Sequence, residues 1–187
     1  MGAAMPKKIV PPVIPPEYDR VALLVIDVQH GLFQKSTPIY HAEQLLQNLN
    51  TLIERARVRG VPLIYVQHSD PRHLVKGSPA WQLHPRLYQP DHERVIHKLH
   101  GNAFAGTDLA EMLREEEVGR LVVTGLVTHG CIRATCLGGR ELGYPVTLVT
   151  DAHSNYSQDA VRLIEEWHAK LAQTGVTLCL TEEVSLE

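Results

Sequence analysis

Cys131 is the residue of this chain whose type and position most invite chemistry. It closes the segment Gly125-Leu126-Val127-Thr128-His129-Gly130-Cys131, between a β-branched run at 119–125 (GRLVVTG) and a helical pattern over 129–142. The spacing places the thiol in the first turn of that helix. Unpaired backbone N–H groups and the positive end of the helix dipole gather there, favouring a thiolate over a thiol and offering donors to an oxyanion. The competing reading is simple packing, because free cysteine is among the most buried residue types. A nucleophilic thiol also needs a base to take its proton and a cation that makes carboxylate and thiolate tolerable together away from water. Asp27 ends the run VALLVID (21–27) and Lys98 ends RVIHK (94–98), so both groups stand at strand ends. Either one alone is more often solvated or in an ordinary ion pair. All three at one sheet edge make a nucleophilic constellation.

The elements that would bring them together alternate along the chain. VALLVID reads as a strand buried on both faces. Residues 42–59 carry Leu45, Leu46, Leu49, Leu52, Ile53 and Ala56 at helical spacing and stop at Gly60, a natural C-terminal cap. VPLIYVQ (61–67) is a second strand, followed by a long Pro-, His- and Gly-rich loop over 68–92, and loops of that length usually carry function. After RVIHK comes a helix from about Asp108 to Glu117, with Thr107 as a candidate cap, then the strand at 119–125 and the helix at 129–142. YPVTLVT (144–150), a helix starting near Ser157-Gln158-Asp159 and running to about Ala172, and VTLCL (176–180) complete the series. Such alternation predicts a mostly parallel sheet with right-handed crossovers, covered on both faces, and ligands bound beyond the carboxyl ends of its strands.

Composition limits what the chain can be. At 187 residues it accommodates one domain, read as 21–187 behind a proline-rich arm at 1–20 that contains Pro6, Pro11, Pro12, Pro15 and Pro16. The arm is expected to be extended or to pack on a neighbouring subunit. No apolar run approaches the roughly 20 residues of a membrane span. Lys and Arg number 18 against 21 Asp and Glu, with no basic cluster to track phosphates, so neither membrane nor nucleic acid is an expected partner. Three cysteines and no secretory pattern at the start make a reducing, cytoplasmic setting the expectation. Cys136, about 140° around the helix from Cys131, and Cys179 read as packing residues. The turn DVQHGLF after the first strand lacks GxGxxG, which argues against a dinucleotide-binding protein.

Three blocks, VALLVIDVQHGLF, VIHKLHGNAF and TGLVTHGCIRATCLGGRELGYPVTLVTDAHS, resemble the defining blocks of the isochorismatase-like cysteine hydrolases over nearly all of residues 20–185. That superfamily includes nicotinamidases, carbamoylsarcosine and ureidoacrylate amidohydrolases, and true isochorismatases. The resemblance implies a three-layer α/β/α sandwich with a six-stranded, mostly parallel sheet. It implies an Asp27-Lys98-Cys131 triad, a cis peptide at Leu126-Val127, and an oxyanion hole made by the N–H groups of Val127 and Cys131. The implied activity is hydrolysis of a C–N bond in a small amide or ureido substrate through an acyl-thioenzyme. Assembly as a dimer or tetramer is implied as well.

The chain departs from the nicotinamidase pattern in one respect. Where those relatives carry Asp-x-His to hold a metal, this chain has Val66-Gln67-His68. His68, Asp70, His73 and His84 lie close in sequence, but a polar loop explains them better than a metal does, so the expectation is no metal and no cofactor. Phe33, Gln29, Trp81, Phe104 and His129 are the candidates for lining the substrate cleft; core or interface packing is the competing reading for Phe33 and Trp81, and a solvent-facing position in the first turn for His129. Asp151 reads as structural. Two other functions compete: an isochorismatase-type vinyl-ether hydrolase, and a non-catalytic binding or redox protein on the same scaffold.

Overall fold

The computed structural model describes residues 14–187. Its elements in chain order are β1 (Arg20–Ile26), α1 (Ala42–Arg59), β2 (Leu63–His68), β3 (Arg94–Lys98), α2 (Leu109–Glu115), β4 (Val118–Leu126), α3 (Arg133–Glu141), β5 (Val146–Ser154), α4 (Ala160–Gln173) and β6 (Thr177–Cys179). The six strands form one sheet in the order β3-β2-β1-β4-β5-β6, and every pairing is parallel. Strand alternation divides the core in two. Val21, Leu23 and Val25 of β1 face the apolar side of α1, whereas Ala22, Leu24 and Ile26 face Leu109 and Leu113 of α2, Cys136 of α3 and Leu171 of α4. This is the doubly covered sheet that the unbroken apolar strands require.

Chain direction away from the sheet reverses between β1 and β4, since β2 and β3 lie on one side of β1 and β4 to β6 on the other. Such a switch point leaves a crevice at the carboxyl ends of the two central strands. Asp27 follows β1 and the 127–132 segment follows β4, so both open onto it. Gly125 makes the close approach possible. It has φ +112°, and a Cβ there would lie 2.0 Å from the carbonyl oxygen of Ile26. Gly125→Ala is therefore expected to lower the unfolding free energy by about 3 kcal/mol or more. Urea denaturation measures this, and wild-type stability would mean that β4 can move off β1 without cost.

Several expected boundaries shift. The helix expected over 129–142 is broken near its start: Thr128–Ile132 form a wide π-type turn, Gly130 leaves helical geometry at φ −111°, ψ −109°, and α3 begins only at Arg133. Cys131 consequently sits in this wide turn before the helix rather than in its first regular turn. β5 runs on to Ser154, past the expected end at 150, because the ladder resumes at Gly125–His153 and Leu126–Ser154 after an irregularity. The arm is partly defined. Pro6, Pro11 and Pro12 lie outside the described residues, but Ile14 packs on the α2/α3 side of the core, and the Tyr18 N–H donates to the Pro15 carbonyl at 2.9 Å. Residues 14–19 therefore pack against their own domain. Cys136 is buried and Cys179 half-buried within the core, as packing residues. Asp151 accepts from both the N–H and the hydroxyl of Thr181, at 2.8 Å each, and so ties β5 to the segment after β6. No helix among the described residues is long and apolar enough to cross a membrane.

Candidate active site

Asp27 opens the loop after β1 with φ +52°, a left-handed conformation that aspartate tolerates better than most residues. Its N–H remains in register, donating to the Val66 carbonyl of β2 at 2.8 Å. Lys98, the last residue of β3, lies two strands away, and its long side chain reaches back across β2. Its Nζ donates to Asp27 Oδ2 at 2.7 Å and to Cys131 Sγ at 3.1 Å, and stands 3.4 Å from His68 Nδ1. An ammonium has three protons and no acceptor, so these neighbours account for all of its donor capacity. The imidazole nitrogen facing it must then be the unprotonated one. Burial, reinforced by the Lys98 charge, holds His68 below the ordinary histidine range.

Asp27 and Lys98 are almost wholly removed from solvent, with side chains 2% and 0% exposed. Desolvating two charges is costly unless each is hydrogen-bonded to the other and to further partners. Asp27 is not fully satisfied: Oδ1 is buried and has no hydrogen-bond partner. Within the site this leaves one free acceptor beside the thiol. Cys131 itself is half-buried. Burial first, and the adjacent Asp27 carboxylate second, push its thiol up to about 12, with Lys98 pulling the other way. Against the sequence expectation of a thiolate at a helix start, loss of water at this position favours the thiol and the nearby cation opposes it. Burial thus favours a thiol next to an unpartnered carboxylate oxygen.

The group opens into a cleft of about 300 Å³. Its walls combine apolar Leu32, Leu74 and Val127 with polar Lys35, Tyr156, His68, Asp70 and His73. The Leu126-Val127 peptide on one wall is cis. Asp70 shapes the long loop, accepting from the N–H groups of Arg72 and His73 on Oδ1 at 2.8 and 2.7 Å, and from Leu74 on Oδ2 at 3.2 Å. Among the described residues no three His, Cys, Asp or Glu side chains are grouped to hold a metal ion. His84 stands apart from the cleft, its ring 4.3 Å from that of Phe33.

The side chains expected to line the cleft are mostly engaged elsewhere. Gln29 is fully buried and braces the loop: its amide nitrogen donates to the carbonyls of His68 and Trp81, at 2.9 and 2.8 Å, and its oxygen accepts from the His68 N–H at 2.9 Å. Trp81 is buried too, with Nε1 donating to Ser69 Oγ at 2.9 Å and its ring 5.1 Å from His97. Phe104 packs under α3 on the other side of the sheet, stacked on Tyr144 at 6.2 Å. Phe33 packs on the α1 side of the core, and His129 is half-buried with an unpartnered Nδ1. None of these five lines the cleft. Gln29 and Trp81 are held by hydrogen bonds to the loop, whereas Phe33 and Phe104 fill core gaps. Sequence reading missed Leu32, Lys35, Leu74 and Tyr156, which carry no motif, and it did not see that His68 completes the coordination of Lys98.

Fold and cleft define an α/β/α sandwich protein with a thiol, a carboxylate and an ammonium in contact at the carboxyl edge of a parallel sheet. Comparison with known proteins is more particular: the isochorismatase domain model matches residues 21–183, and the chain belongs to the isochorismatase family. Streptothricin hydrolase from Streptomyces noursei is 30% identical over 168 residues, which cover 88% of this chain and 61% of that protein. The chain thus spans less than two thirds of that relative's length. The nicotinamidase of Escherichia coli K12 is 37% identical over 93 residues, 43% of this chain and 44% of the enzyme. Among solved structures, an isochorismatase from Pseudomonas putida KT2440 superposes with a TM-score of 0.81 at 26% identity, covering 91% of this chain and 93% of that one.

Proposed function

We propose that the protein is a cysteine-dependent hydrolase that cleaves a C–N bond in a small amide or ureido substrate. The observation carrying this reading is the contact of Lys98 Nζ with both Asp27 Oδ2 and Cys131 Sγ, beside an unpartnered Asp27 Oδ1, at the foot of the cleft. A hydrolase on named relatives and an amidase on the nicotinamidase relative agree with it.

Asp27 Oδ1 takes the Cys131 proton as Sγ bonds to the substrate carbonyl carbon. Because burial pushes the thiol above its usual range, removal of its proton and attack belong to one event driven by the bound carbonyl. The N–H groups of Val127 and Cys131 receive the tetrahedral oxyanion, each such donor being worth about 3–4 kcal/mol in the transition state. Asp27 passes its proton to the leaving nitrogen as the C–N bond breaks, giving an acyl-thioenzyme. Asp27 then removes a proton from water, which attacks the thioester, and the acid leaves as Sγ regains its proton. Lys98 keeps its charge throughout and holds the carboxylate in place. His68 orients Lys98. The cleft volume suits a substrate of a few to about a dozen heavy atoms.

Mass spectrometry of protein quenched in acid during turnover of a panel of primary amides, ureido acids and isochorismate tests the proposal. An acyl mass on the peptide containing Cys131, with ammonia released, is the expected result. Isochorismate turnover without any adduct would replace the reading with vinyl-ether hydrolysis.

A further inference from the structure

Behind the candidate oxyanion loop lies a line of polar side chains that the proposed mechanism does not use. Thr128, His153 and Asn155 are all essentially removed from solvent. Asn155 Nδ2 donates to Thr128 Oγ1 at 3.4 Å, Thr128 Oγ1 lies 2.9 Å from His153 Nδ1, and His153 Nε2 lies 2.7 Å from Nε2 of half-buried His168 on α4. The direction of this chain can be worked out from one end. Asn155 Oδ1 accepts the N–H of Ser157 at 2.9 Å, which fixes the amide so that its NH₂ faces Thr128. Thr128 Oγ1 has only these two side-chain partners among the described residues, so its proton finds an acceptor only by pointing to His153 Nδ1. His153 then carries its own proton on Nε2 and gives it to an unprotonated Nε2 of His168.

We infer that Asn155, Thr128, His153 and His168 form a one-way hydrogen-bond chain that positions the backbone donors of Val127 and Cys131, with His168 as its terminal acceptor at the protein surface. This rests on the proposed use of those two N–H groups. Thr128 follows Val127 directly and opens the turn that carries Cys131, so fixing its hydroxyl fixes the path of the backbone that presents both N–H groups. A proton added to His168 Nε2 would set two N–H groups against each other at 2.7 Å. Relief requires His153 to move its proton to Nδ1 and aim it at Thr128, whose own hydroxyl proton would then lack an acceptor in a buried place. Protonating His168 therefore loosens the loop.

Charges that face this chain come from several elements. Glu165 lies near His168 on α4, His41 and Asp151 line with His153 a small cavity between α1 and β5, and Arg133 of α3 stands over Trp167, next to His168. Burial holds His168 below the ordinary histidine range, with Glu165 opposing, and holds His153 far lower, down to about 3. Half-buried His168, rather than buried His153, is the ring open to a proton from solvent, and both shifts favour the neutral imidazoles that the chain's direction requires.

Two measurements test the inference. The first assigns imidazole tautomers by two-bond ¹H–¹⁵N correlation in labelled protein: His153 is expected as the Nε2–H form at neutral pH, and finding the Nδ1–H form would overturn the chain's direction. The second compares acylation of Cys131 by p-nitrophenyl acetate, followed as p-nitrophenolate release, with alkylation of the same thiol by iodoacetamide. Acylation uses the oxyanion donors and alkylation does not, so their ratio isolates positioning from thiol chemistry and from Asp27 titration. His168→Leu is expected to lower the ratio about tenfold or more, while His168→Gln, whose amide oxygen accepts at any pH, restores it to within about threefold and removes its fall in mild acid. An unchanged ratio in His168→Leu, or no rescue by His168→Gln at equal melting temperature, would overturn the inference. Equal p-nitrophenolate release from wild type and Cys131→Ala would instead sink the hydrolase proposal, leaving the tautomer assignment to decide the chain by itself.

Discussion

Cys131→Ala is expected to lower turnover of any amide substrate by about a thousandfold or more, with substrate binding nearly unchanged. The alanine removes the sulfur proposed to attack from the cleft floor, but it leaves Asp27, Lys98 and the wall residues in place. Activity retained in the purified variant would end the assignment, whichever substrate is used. The wild-type thiol also has a distinctive pH behaviour. Because burial and Asp27 hold it up to about 12, the thiolate fraction keeps growing as pH rises past the usual thiol range. Alkylation by iodoacetamide should therefore climb steadily from neutral pH through pH 10 without levelling near 9. A plateau at or below pH 8 would show a thiolate at rest and favour the sequence-based picture. The same raised value has a consequence for stability. The unfolded chain loses its thiol proton first, so the contribution of Cys131 is present below about pH 9 and lost as pH rises toward 12. Cys131→Ala is expected to soften that alkaline loss, although buried Cys136, also pushed up to about 12, retains its own share.

Lys98→Met is the second large effect. Methionine keeps most of the side-chain volume and removes the charge, leaving the Asp27 carboxylate buried with neither oxygen paired. Breaking a buried pair from one side costs about 3–5 kcal/mol, because the remaining ion keeps its desolvation penalty. Urea unfolding should show a loss of that size, and turnover should fall with it. The double variant Asp27→Asn/Lys98→Met separates the two effects. It removes both charges, so most of the stability should return while activity stays absent. If the single variant unfolds like the wild type, the carboxylate has another partner or reaches water. If the double variant regains activity, Asp27 is not the base.

Sequence pattern was sufficient for the scaffold. Apolar runs with no alternation predict strands covered on both faces, and the period of 42–59 with Gly60 after it predicts α1 to the residue, since Gly60 caps the helix at φ +65°. Boundaries moved where tertiary contact overrode local preference. β5 continues to Ser154 because β4 offers it a partner, and the helix after β4 starts late because Gly130 and the Val127 carbonyl hold a wider turn. Phe104, Trp81 and Gln29 looked suited to a cleft from their neighbours in sequence, but in the structure each fills a core gap or braces a loop.

By itself the sequence determined the identity and order of the candidate residues: an acid and an ammonium at the ends of parallel strands and a thiol in the turn after another, within blocks that resemble one family. That information is local, since residue type and strand position are written in short stretches of chain. Only the tertiary structure decided how those groups behave. The three donors of Lys98, the unpartnered Oδ1 of Asp27, the upward push on the Cys131 thiol, and the line from Asn155 to His168 all depend on which side chains from distant segments exclude water together. Desolvation is a property of the packed whole, and no spacing within one segment encodes it.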